Sequence, residues 1–166
     1  MTMAATAAPW APNRLERTLA AASIALLAVV AVAIARGQPH WAEPGMRVWL
    51  HLGTVLLALA LTPVMLLARR GTKRHRRLGA VWMAAMATTA FASLFVKVIR
   101  HGQFSAIHVL SLATLVLVPR AIIHARRHEI AQHRRAVQGL VIGALLIAGF
   151  FTLPFNRLLG RWLVGG

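Results

Sequence analysis

Five long apolar runs leave this chain few folds to choose from. They cover roughly residues 19–35, 47–67, 78–98, 104–124 and 136–153. Short segments rich in Arg, His, Pro and Gly separate them. A membrane-crossing helix needs about 20 apolar residues. In lipid, only a helix or a closed barrel satisfies its own backbone polar groups. A soluble core built from 166 residues is too small to hide all five runs. The expectation is an all-α, polytopic membrane helix bundle with five transmembrane helices. Composition agrees, with 58% hydrophobic and only 13% charged residues.

The charge is lopsided: 19 Lys+Arg stand against 3 Asp+Glu. In a soluble chain this would suggest nucleic acid. Here the cations gather between the apolar runs, so the positive-inside rule accounts for them and no nucleic-acid partner is needed. Placing the N-terminus and the 69–77 and 120–135 segments on one side puts thirteen Lys/Arg there and six on the other. That predicts an N-in, C-out protein of the cytoplasmic membrane, with the lipid bilayer as its first partner. Residues 1–17, rich in Ala and Pro, read as a disordered N-terminus. The first run is longer than a usual signal core and reads as a retained helix. Residues 158–166 read as a short interfacial tail.

A second pattern lies on top of the first. One stretch occurs twice, from His51 to Arg77 and from His108 to Arg135. Each copy opens on a His and places a Pro (Pro63, Pro119) eleven or twelve residues later. Each then has an Ala-Arg-Arg triplet, at Ala68 and Ala125, and a His-Arg-Arg triplet, at His75 and His133. Four landmarks in one order predict that helices two to five are a tandem two-helix duplication.

The duplication yields two histidine pairs, His51 with His108 near the outer face and His75 with His133 near the inner one. Ionisable residues in or near spans are costly and face the bundle interior. A His there ligates a metal or heme iron, relays protons, or bridges two helices. Helical bundles build cofactor sites from side chains on facing helices. Two axial imidazoles suit a heme b iron to electron transfer. In that reading all four His are axial ligands, and Arg47 and Arg100 are partners for the heme propionates. Gly53 and Ser111 would let a flat macrocycle approach the helices. No other metal site is expected. Other chemistries lack their parts: the chain has no Asp and no Cys, and its Glu16, Glu43 and Glu129 lie outside the spans. Carboxylate-based transport, thiolate sites and hydrolase triads therefore have no candidates.

The segments GTKRHRRLG (71–79), FSAIHVLS (104–111), the His133 triplet and FTLPFNR (151–157) resemble bacterial membrane proteins grouped as "domain of unknown function 2306". The likeness covers roughly residues 47 to 157 and implies a bacterial inner-membrane protein without an assigned chemistry. The ending departs from the family, which favours Pro-Gly-Arg where this chain has Pro154-Phe155-Asn156-Arg157. More distantly, the paired histidines look like those of b-561-type cytochromes, whose four-helix core holds one heme near each membrane face. Three functions stay open. One is a heme-binding electron carrier with a redox partner. Another is a scaffold or accessory subunit of a membrane complex whose histidines only bridge helices. The last is a protein that handles protons or small molecules.

Overall fold

The computed structural model describes residues 11–95, 106–154 and 156–165. All regular structure among them is helical. The first helix, α1, spans Arg14–Arg36 and opens on a reciprocal cap. The Asn13 side chain accepts from the Glu16 amide at 2.8 Å, while the Asn13 amide donates to the Glu16 carboxylate at 2.9 Å. Such a box satisfies two amides that a helix start leaves open. It also draws Arg14–Arg17 into the helix, out of the stretch expected to be disordered.

Helix α2 spans Met46–Leu67 and contains Pro63. Helix α3 spans Lys73–Ser93, α4 Ala106–Arg126 and α5 Ile130–Leu140. The last continues through a π-helical segment, Val141–Ile147, into α6, Ala148–Phe150. Helices α3 and α5 start about five residues earlier than the apolar pattern suggests. Lys and Arg are good helix formers, and Thr72 caps α3 by accepting from the His75 amide at 3.1 Å. What looked like basic loops are therefore largely basic first turns. Gly71 makes the tight approach to α3 in the left-handed region, at φ +79°.

Helices α2 and α3 pack together, as do α4 and α5. Helix α3 meets α4, and α1 touches both α2 and the π-helical segment, closing the bundle. The first helix is therefore a full member of the bundle rather than an outrigger. Leu19 and Ala20 share one core with Leu59, Trp82, Met86 and Leu140. The outer surface stays apolar, with Val32, Leu57, Val81, Leu112 and Val116 all exposed, as a lipid-facing surface requires.

Among the described residues, three helical stretches are long and apolar enough to cross a membrane: Arg14–Arg36, Met46–Leu67 and His108–Arg126. The other two expected spans differ for local reasons. Helix α3 begins with Lys73, Arg74, Arg76 and Arg77 and its described part ends at Ser93, and α5 changes helical type at Val141.

The tail is packed as well. Helix α7, Leu158–Val164, folds back on α1. Trp162, only 2% exposed, joins Leu159, Val30, Ala33 and Leu52 in a second core cluster. Two glycines allow this. A Cβ on Gly37 would lie 2.1 Å from the Trp162 ring, and one on Gly160 would lie 1.8 Å from the Leu153 carbonyl oxygen. The expected interfacial tail is thus a cap over one end of the bundle, tied down further by an Arg36 hydrogen bond to the Leu163 carbonyl.

Candidate cofactor cavity

The two ends of the bundle are built differently. At the α7 end lies a mostly apolar cavity of about 690 Å³. Ligand sites typically measure about 300–1,000 Å³, with an apolar lining and a few placed polar groups. Both histidines expected at this end line it, His51 from α2 and His108 from α4.

Helix geometry sets their positions. His51 sits just over one turn into α2, and its Nδ1 lies 3.1 Å from the Thr89 carbonyl oxygen of α3. A carbonyl only accepts, so Nδ1 carries the proton and Nε2 holds the lone pair. This is the orientation that a metal-binding histidine needs, fixed by a hydrogen bond on its other nitrogen. The Thr89 hydroxyl donates onward to Thr54 at 2.7 Å. His108 is 4% exposed, one turn before Ser111, which shares a hydrogen bond with Ser93. Small residues beside the π-helical segment, Ala144, Ala148 and Gly149, leave the space open on the α5 side. Local π-helical geometry is frequent at functional sites.

The proposed carboxylate partners fare less well. Arg47 is exposed and does not line the cavity, and Arg100 lies outside the described residues. Gly53 is exposed and away from the lining too, whereas Ser111 is part of it. The cations that do line the cavity are Arg157 and Arg161, at the entry to α7 and within it. Among the described residues neither side chain makes a hydrogen bond or ion pair. Glu43 also reaches the rim but is held by His40 at 2.7 Å. Sequence spacing had no means of bringing the tail over the histidines. The available signal was the Gly37, Gly160 and Trp162 set, which reads as a close approach only once the two helices are in contact.

The opposite end holds a smaller space of about 410 Å³, lined by Asn13, Ile130, Arg134 and Gln138 and by no histidine. His133 on α5 donates from Nδ1 to the Ala121 carbonyl of α4 at 2.9 Å. His75 lies near it, with a buried Nδ1 that has no hydrogen-bond partner among the described residues. Burial holds the His75 imidazole below its ordinary pKa, and the neighbouring His133 and Arg70 push it the same way. Neither histidine lines the cavity.

The dominant feature at this end is Glu16, a residue that the sequence pattern placed outside any site. It is 1% exposed. Its carboxylate takes two hydrogen bonds from Arg134, at 2.8 and 3.0 Å, pairs with Arg70, and accepts from Gln138 at 3.4 Å. Arg70 also donates to the Ala11 carbonyl at 3.0 Å. One carboxylate thus joins α1 to the basic segments after α2 and at the start of α5. A lone Glu in an N-terminal stretch carries no sequence signal for this, because both partners are distant in the chain.

Among the described residues, no three His, Cys, Asp or Glu side chains converge on a point. The cavity end offers two imidazoles, those of His51 and His108.

A family model for a predicted membrane protein, DUF2306, matches residues 48–160. The chain belongs to this family. The DUF2306 match runs from the start of α2 into α7, so it contains all four histidines and Arg157, and it leaves Arg161, Glu16 and the whole of α1 outside. It establishes a membrane protein, and the family's description names no activity. No curated protein and no solved structure matches the chain. The likeness to b-561-type cytochromes therefore rests on the placement of histidines alone.

Proposed function

We propose that this DUF2306 protein is a b-type heme protein that carries electrons in the membrane, with its heme in the cavity between His51 and His108. The observation that carries the reading is that these two residues, 57 apart in sequence and on different helices, line one apolar cavity. The residues fit the group in three ways. His51 is held with a lone pair on Nε2. The lining is apolar and of cofactor size. Two arginines border it. A bis-imidazole heme supplies one-electron transfer when bound. The chain's own part is to orient the imidazoles through backbone carbonyls and to keep water from the apolar lining.

In this proposal five helices span the inner membrane with the N-terminus inside, and α2–α5 are two copies of one hairpin. A single heme is expected. His75 and His133 act as helix bridges, a role favoured by the His133 bond to Ala121. The test is a dithionite-reduced minus oxidised spectrum of the full chain purified from heme-replete membranes. Sharp α and Soret bands at about one heme per chain are expected, lost in both His51→Ala and His108→Ala and kept in His75→Ala. A flat spectrum from folded, heme-supplied protein would overturn the reading.

A further inference from the structure

We infer that Arg157 and Arg161 form the anion-recognition element of the cavity and take the two carboxylates of the bound heme, in place of Arg47 and Arg100. This rests on the heme reading above. Three observations carry it. Both arginines line the cavity, and among the described residues both side chains lack partners. Arg157 is the N-cap of α7 and Arg161 lies one turn further along it. Their backbone sits beside close contacts, Trp162 against Gly37 and Gly160 against Leu153, that leave no room for a Cβ at either glycine.

The electrostatics favour the pairing. Among the described residues the acid that lines the cavity, Glu43, is paired with His40 rather than with either arginine. A ligand with an apolar body and two carboxylates at one edge complements such a cavity, and Arg binds carboxylates through paired hydrogen bonds. The cavity then receives the macrocycle edge-on, with its polar edge towards α7 and its metal between the histidines. The tail becomes part of the site rather than a surface appendage.

The experiment compares hemin with hemin dimethyl ester, whose carboxylates are blocked, added to the full apo chain in detergent. The wild-type chain is expected to bind hemin at least about tenfold more tightly than the ester, the scale of one charge-assisted hydrogen bond. The R157Q/R161Q double variant loses that preference but keeps the bis-histidine Soret position, because His51 and His108 are untouched. R157K/R161K retains part of the preference, and R47Q retains all of it. Single R161Q, at an exposed position, gives a smaller loss and serves if the double variant does not fold. Equal binding of the two ligands by the wild type overturns the inference, as does an unchanged preference in R157Q/R161Q. Both results leave the heme reading standing. No Soret shift with either ligand overturns the heme reading and this inference with it.

Discussion

The two ends of the bundle solve the same problem in opposite ways. Each carries a pair of histidines and a pair of arginines. At the Glu16 end a carboxylate bridges the two arginines, and Trp82 fills the core between the ends, with its indole N–H on Thr62 at 2.9 Å and Ala58 at 3.2 Å. At the α7 end the acid at the rim, Glu43, is paired with His40 instead of the arginines, and about 690 Å³ stays open. The difference teaches which end is structural. A charge that the chain neutralises itself stabilises the fold. A charge beside an apolar space, without a partner among the described residues, is available to a ligand.

The contrast breaks most directly at Glu16. Removing one partner of a buried ion pair costs about 3–5 kcal/mol. Arg70 and Arg134 keep some exposure, 12% and 19%, so Glu16→Ala is expected to cost about 2–4 kcal/mol. Thermal unfolding in detergent measures it. A change below about 0.5 kcal/mol would show that the cluster is ornamental and erase the distinction. Next in size is Trp82→Phe, which strips a buried donor from two acceptors and should cost about 1–3 kcal/mol. Ligand binding at the far end should be unaffected in the protein that remains folded.

At the cavity end the order reverses. Ala148→Leu fills open space, so stability should stay within about 0.5 kcal/mol while heme binding weakens at least about tenfold. A large loss of stability there would mean that the space is needed for packing.

The smallest expected effect is a pH dependence at the Glu16 end. The His75 imidazole is held below its ordinary value of 6.5 by burial first, then by His133 and Arg70. Protonation is then harder in the folded state than in the unfolded one. The contribution is complete above pH 6.5 and is lost as pH falls from there towards the folded value. Unfolding curves from pH 5 to 8 should show a decline on the acid side that His75→Leu reduces. An identical pH profile in the variant would remove His75 as its source.

Much of this was legible in order along the chain. The apolar runs gave the helices to within a few residues, because length and hydropathy are local properties. The boundaries that moved did so where capping competed with charge, at Asn13–Glu16 and at Thr72. His51 and His108 could be paired from spacing, since each opens an apolar run at the same phase. The arginines could not. Arg47 and Arg100 were chosen because they were near in sequence, whereas Arg157 and Arg161 reach the cavity only because a seven-residue helix turns back on α1.

By itself, then, the sequence determined a helical membrane protein with histidines recurring at matched positions, since backbone satisfaction in lipid and side-chain period depend on neighbours in the chain. Only the tertiary structure decided which end holds the larger, histidine-lined cavity and which the Glu16 cluster. That choice depends on where Glu16, Trp82 and α7 come to rest, and each meets its partners across more than a dozen residues of intervening chain.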